Sequence, residues 1–335
     1  MSDKHPWKID VAVLLIFFSR PGCFAQVFEQ VKAARPSKLF LYQDGQRDGN
    51  EIDVAGIAKC REIALDIDWE CEVHTFFQEK NFGCDPSGYL ARKWAFSIAD
   101  KAIVLEDDCV PSQSFFPFCK ELLDRYENDD RVNMICGMNN LETFNSPYSY
   151  IFTETGSICG LATWKRVIDE WDEDYSLLDD DYFYGKLRYY MYYYSGIKNR
   201  TRTWEHNKAS GVVHHETVGG ISQFANNRLN IVTTINLISN VGNTHEGGTH
   251  STSDVKLIPR GLRRIFTMPA YEIDFPLRHP KYMINDVAFQ KALFRVMGVG
   301  HPWVRRWRNV EKALLLLRYE GFGALVKKLK RKFGR

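Results

Sequence analysis

Through the first 140 residues, short apolar runs alternate with stretches of helical spacing. Val11 to Phe18 is an unbroken apolar run that stops at Ser19-Arg20-Pro21-Gly22. Phe24, Val27, Phe28 and Val31 then recur as on one helix face. The same alternation continues with a strand at 38–42, a helix at 51–66, a strand at 70–77, a helix at 86–99, a strand at 102–105, a helix at 114–126 and a strand at 132–136. Strands that read as continuous apolar runs, each followed by a helix, predict a mostly parallel sheet with helices on both faces, an α/β Rossmann-like fold. Such sheets bind ligands beyond the carboxyl ends of their strands. Ser19-Arg20, Asp44-Gly45 and Glu106-Asp107-Asp108 all fall there.

Beyond residue 140 the pattern loosens. Residues 150–200 are rich in aromatics, with Tyr189, Tyr190, Tyr192, Tyr193 and Tyr194 close together, and predict a packed core or a lid. Gly, Asn, Thr and His are frequent in 201–255, which predicts loops. Residues 256–300 are interrupted by proline, and from Trp303 to Arg335 the spacing is helical again. The expected organisation is a domain over residues 1–255, with one half to 140 and a second half from 141. A basic extension then covers 256–335.

Charge supports that division. The whole chain carries a formal net charge of +2. From Lys256 onward there are 19 Lys and Arg against 5 Asp and Glu, whereas the first 255 residues carry 25 against 37. The apolar run at 11–18 is far shorter than the roughly 20 residues a transmembrane helix needs. It is preceded by Asp3, Lys4 and Asp10 and followed by no small-residue cleavage site, so it reads as a buried strand rather than a leader. Eight cysteines occur at irregular spacing with no CxxC pair, the pattern of free thiols in a reducing compartment. The expected location is cytoplasmic, with peripheral contact at the inner face of the membrane.

The residues richest in chemistry are Glu106-Asp107-Asp108. Three adjacent carboxylates repel one another and are costly unless a cation sits among them. Hard oxygen ligands suit Mg²⁺ or Mn²⁺, which typically spans a carboxylate and substrate phosphates. A solvated acidic turn is the alternative reading. The position directly after a buried strand favours a ligand site.

At this point the chain resembles a known family. Asn81-Phe-Gly83-Cys84, Ile103-Val-Leu-Glu-Asp-Asp-Cys109-Val-Pro111-Ser112 and Phe115-Phe116-Pro-Phe118-Cys119 are similar to the GT-A glycosyltransferases. The nearest group is the bacterial hemolytic-protein-like enzymes, and N-acetylglucosaminyltransferase I is a more distant likeness. Further pieces are Ser19-Arg20-Pro21, Asp44-Gly45, Gly160-Leu-Ala-Thr-Trp164, Asn236-Leu237-Ile-Ser239-Asn240-Val-Gly242, Thr249-His250 and Phe275-Pro-Leu277-Arg-His279-Pro280. The resemblance implies transfer of a sugar from a UDP-linked donor to a glycan, with inversion; membrane contact by the basic tail would fit a lipid-linked glycan as acceptor. It implies Asp108 and His250 at the metal, and Glu106 and Asp107 at the donor's ribose and sugar. Ser19, Arg20, Asp44 and Gly83 would line the nucleotide pocket.

Inverting transfer needs a carboxylate to take the acceptor hydroxyl's proton. Similar enzymes carry an acid directly after a tryptophan, and Thr203-Trp204-Glu205 matches, which makes Glu205 the expected base. It departs from the usual pattern in having Glu for Asp, and His206-Asn207-Lys208 in place of an aromatic continuation. Asp172, Asp179, Asp180 and Asp181 compete for the role. His245-Glu246-Gly-Gly-Thr249-His250 lacks the His-Glu-x-x-His spacing of a zinc protease. His214-His215-Glu216 reads as structural or surface.

In the tail, Val310, Leu314, Leu317, Phe322, Leu325, Leu329 and Phe333 recur near helical spacing among Lys and Arg. A packed helix with a basic edge and a helix lying on an anionic membrane both fit. No recognition motif accompanies the charge, so nucleic acid is not an expected partner. Two further readings remain beside glycosyl transfer. One is a sugar nucleotidyltransferase, for which Ser19-Arg20-Pro21-Gly22 is a poor phosphate loop. The other is a non-catalytic carbohydrate- or membrane-binding protein.

Overall fold

The alternating runs become a layered α/β structure in the computed structural model, which describes residues 4–195, 200–243 and 254–333. The first half runs β1 (Ile9–Phe17), α1 (Pro21–Ala34), β2 (Pro36–Gln43), α2 (Glu51–Ala64), β3 (Glu72–Phe77), α3 (Cys84–Ile98), β4 (Lys101–Glu106), β5 (Cys109–Pro111), α4 (Phe115–Arg125) and β6 (Val132–Cys136). The second half adds β7 (Tyr150–Thr153), β8 (Leu161–Trp164), α5 (Lys165–Ile168), α6 (Asp181–Tyr193), α7 (Arg200–Ala209), α8 (His215–Ala225), β9 (Leu229–Thr233), β10 (Ile238–Asn240), α9 (Arg260–Arg263), α10 (Val287–Met297) and α11 (Pro302–Phe333).

Eight strands form one sheet in the order β3-β2-β1-β4-β8-β6-β9-β7. The pairs β1–β2, β2–β3, β1–β4 and β6–β9 are parallel, and β8 runs against both neighbours. Chain order moves outward from β1 to β3, then crosses back to place β4 on the other side of β1. The crevice between the carboxyl ends of β1 and β4 is therefore the switch point where such sheets hold ligands.

The unbroken apolar reading of the strands has a direct cause, since both faces are covered. Val13, Leu15 and Phe17 of β1 pack in the core that contains α1 and α4, with Leu39 and Leu41 of β2 and Ile103 and Leu105 of β4. The intervening Leu14, Phe40, Tyr42, Ala102 and Val104 pack on the opposite face against Ala91, Ala95 and Phe96 of α3. Period-two alternation thus places apolar side chains in two cores. Each such large side chain contributes roughly 1.5–3 kcal/mol on burial.

The expectation of loops over 201–255 is corrected in part: α7, α8, β9 and β10 lie there. The basic stretch after 255 does not stand apart as a whole. Met268, Ile273 and Leu277 enter the main core, and Phe289 and Leu293 of α10 pack on Cys136, Ile151 and Val232. The element on the outside is α11, which is interrupted at Gly321 by a non-helical backbone (φ 83°, ψ 176°). All eight cysteines are free thiols. Among the described residues no helix is long and apolar enough to cross a membrane.

Candidate active site

The register between β1 and β4 sets Ile16 beside Glu106, so the chain leaving β1 at Phe18-Ser19-Arg20 meets the chain leaving β4 at Glu106-Asp107-Asp108. Arg20 is the last residue before α1, with Pro21 at the first helical position. Its guanidinium is hydrogen-bonded to both oxygens of Asp107, through Nη2 to Oδ1 and through Nε to Oδ2 at 3.4 Å. Nη2 also reaches Asp108 Oδ2 at 3.0 Å, and Nη1 donates to the Gly242 carbonyl at 3.4 Å. Burial works against the arginine's charge, but Asp107 and Asp108 outweigh it and hold its pKa above the ordinary value.

The three carboxylates are distinct in their surroundings. Burial pushes the Asp107 carboxyl up, against the pull of Arg20. Burial also pushes Glu106 up to about 7, opposed by Arg92 and reinforced by Asp108, Asp107 and Glu216. Arg92 is wholly buried, donates to the Gly88 carbonyl at 2.8 Å and faces Glu106 at 3.5 Å. Asp108 lies under the segment 241–243. Val241 N–H donates to the Asp108 carbonyl at 2.9 Å, continuing the antiparallel pairing of β10 with β5. A side chain at Gly242 would place its Cβ 2.1 Å from Asp108 Oδ2, so only glycine permits this approach.

Glu106, Asp108 and Cys109 offer ligand atoms within 4.8 Å of one another. Cys159 and burial push the Cys109 thiol up, and its Sγ donates to Asp108 Oδ1 at 3.4 Å; a hard divalent cation prefers the two carboxylates to sulfur. That set fits a hard divalent cation that completes its shell with water and phosphate oxygens. Arg20 on Asp108 Oδ2 is the local counter-charge.

Asp44, just past β2, is tied to the loop before α3. It accepts from the backbone N–H groups of Gly45, Phe82 and Gly83, each at 2.9 Å, and from Asn81 Nδ2 at 3.0 Å. These four donors occupy the acceptor positions of the carboxylate. Asp44 therefore braces the crevice wall and Gly83 is part of the brace. Ser19 lies in the turn between β1 and α1, beside Arg20. His250 lies outside the described residues.

Glu205 sits on α7 and accepts the Tyr184 hydroxyl at 2.6 Å. Among the described residues no hydrogen bond or ion pair joins it to the triplet. Asp180 caps α6 by accepting from the Tyr182 and Phe183 amides, and Asp172 accepts from Ser176 N–H and Oγ, so both have local structural work.

A different acid shares the triplet's field. Glu216 is exposed in the first turn of α8, and its charge acts on Glu106, Arg92 and Arg200. It is brought there by the contact of α8 with α3. The His215 ring lies against Gly88 and its Nδ1 lies 3.2 Å from the Asp85 carbonyl, while His214 Nδ1 lies 3.1 Å from Asp85 Oδ2. The two histidines anchor the start of α8, and Glu216 follows them in its first turn.

A surface hollow of about 510 Å³, lined by Lys8, Ala33 and Phe116, is at the amino end of β1, away from this chemistry.

No protein-family model matches the chain, and no curated protein matches it in sequence. Solved structures similar to it include 4-diphosphocytidyl-2C-methyl-D-erythritol synthase from Anaerococcus prevotii DSM 20548. That likeness has 9% identity and a TM-score of 0.28, over 51% of this chain and 75% of that one. UDP-glucose pyrophosphorylase complexed with UDP-glucose is similar at 9% identity and a TM-score of 0.32, over 68% of this chain and 91% of that one. Likeness of that size assigns neither family nor function.

Proposed function

We propose that the protein is a metal-dependent glycosyltransferase using a nucleotide-sugar donor, UDP-linked by its sequence resemblance, and a glycan or lipid-linked glycan acceptor. The observation that carries this reading is the meeting of Glu106-Asp107-Asp108 with Arg20 at the switch point of the sheet. Helices α1 and α3 both begin at this edge, and their amino ends favour an anionic diphosphate. Asp108 and Glu106 would hold Mn²⁺ or Mg²⁺, which would neutralise the leaving diphosphate.

Glu216 takes the base role in preference to Glu205. It removes the acceptor hydroxyl's proton, the hydroxyl oxygen bonds to the anomeric carbon, and the bond from that carbon to the diphosphate breaks. The nucleoside diphosphate leaves with the electron pair. Arg20 orients the Asp107 and Asp108 carboxylates and holds the turn at Gly242 above them.

Nucleotidyl transfer, which joins a nucleoside triphosphate and a sugar phosphate with loss of diphosphate, is the second reading. Arg20 directly after β1 favours it, because a phosphate-gripping cation belongs at that place. The turn from Phe18 to Arg20 holds no glycine, which is against it. The deciding experiment incubates the protein and Mn²⁺ with a panel of nucleotide sugars, and separately with nucleoside triphosphates plus sugar phosphates. Nucleoside diphosphate release in the first panel supports glycosyl transfer. Inorganic diphosphate release in the second replaces it with nucleotidyl transfer.

A further inference from the structure

We infer that α11 is a docking surface for an anionic lipid bilayer. On this helix Trp303, Trp307, Val310, Leu314 and Leu317 follow the spacing 4, 3, 4, 3, which places them on one stripe about 20 Å long. A stripe of that kind ordinarily faces a core. Here it faces outward: Trp303 is 75% exposed, Trp307 63% and Leu314 56%. The face that holds α11 to the protein is a different one, where Leu316 is buried, Arg308 reaches the Val296 carbonyl and Glu311 accepts the Arg260 amide at 3.0 Å. The exposed stripe is therefore additional to what packing requires, and an apolar patch of this extent marks an interaction site.

Charge decides which partner fits. Residues 302–335 hold eleven Lys and Arg and two Glu. Arg306 flanks the stripe with its guanidinium 4.9 Å from the Trp303 ring. A hollow of about 310 Å³ is lined by Trp307, Leu314 and Leu315 with Arg260, Arg318 and Glu311. Two copies paired along this helix would bring like charges together, whereas anionic head groups complement them. Indole rings prefer the head-group level of a bilayer, and basic residues beside an apolar stripe add electrostatic attraction to anionic lipids. Since α11 is not apolar enough to cross, it lies along the surface. The inference is independent of the reaction assigned above, because its readout is binding.

The test uses the full chain and sedimentation with vesicles of phosphatidylcholine alone or mixed with phosphatidylglycerol. The native protein is expected to bind the mixed vesicles and not the neutral ones, with binding falling as salt rises. The double variant Trp303→Ala, Trp307→Ala should weaken binding at least tenfold, and Arg306→Gln or Arg318→Gln about fivefold each. Circular dichroism of the variants should match the native protein, since all four positions are on the outer face. Equal binding by the native protein and the tryptophan variant overturns the inference, as does binding to neither vesicle. Concentration-dependent self-association that the tryptophan variant loses, without vesicle binding, assigns the surface to a second copy instead.

Discussion

Arg20 lies across both oxygens of Asp107 and reaches Asp108 with the same Nη2. The anions at the end of β4 are thus neutralised from the end of β1, by a residue of the same chain. Both partners are largely buried, with side-chain exposures of 14% and 8% for Arg20 and Asp107. Removing one member of a buried pair leaves the other uncompensated and costs about 3–5 kcal/mol. Arg20→Ala should lower stability by about 3 kcal/mol in urea unfolding. Added Mn²⁺ should restore part of that loss, because a bound cation replaces the missing charge. Unchanged unfolding would remove Arg20 from this role.

Two glutamates are separated by their neighbours. Glu216→Gln should cut turnover by about 10²-fold, the lower end for loss of a general base, and leave donor affinity intact. Glu205→Gln keeps an oxygen for the Tyr184 hydroxyl and should change turnover by less than about threefold. Steady-state kinetics and donor titration on both variants check this. The reverse order of effects would return the base to Glu205.

Gly242→Ala forces a methyl group into the space of Asp108 Oδ2. Overpacking of this kind costs about 1–3 kcal/mol. The strain falls on the proposed metal ligand, so metal-dependent donor binding should weaken about tenfold. Calorimetric titration of donor with and without Mn²⁺ gives the readout, and a variant that binds like the native protein refutes the close approach.

Asp44→Asn substitutes two donors for one of the oxygens that accept from four. The amides of Phe82 and Gly83 and the side chain of Asn81 cannot all be satisfied, and each buried unmet donor costs about 1–3 kcal/mol. A loss of about 2 kcal/mol in urea unfolding is expected. Hydrogen exchange should localise the effect to residues 80–84. Protection there equal to the native protein's would count against the brace.

The fold was legible wherever packing on two faces made a strand wholly apolar, as in Val11–Phe18 and Ala102–Leu105. It was hidden at α8, whose Gly219-Gly220 reads as a loop. In the structure Gly219 faces the Trp171 ring, where a side chain would not fit, so tertiary contact overrides local propensity. The same loop reading left the proposed base Glu216 without a place. Without a helix at 215–225, His214-His215-Glu216 has no direction. The spacing of Val218, Ile221 and Phe224 was the available signal, and it places the glutamate in a first turn. Its place after a tryptophan singles out Glu205 in the sequence; in the structure Trp204 is buried in a core with Val218 and Phe224, and Glu205 accepts the Tyr184 hydroxyl. The crevice ends of β1, β2 and β4 were visible because strand ends are marked by the loss of apolar residues. The use of Asp44 as a brace was not, since its donors lie up to 39 positions along the chain from it.

The short ribbon of β5 and β10 also fixes a direction of approach. Asn240 pairs with Cys109 and Val241 N–H holds the Asp108 carbonyl, so the turn at Gly242 cannot swing outward unless the ribbon unzips. That side of the crevice is a standing wall rather than a door.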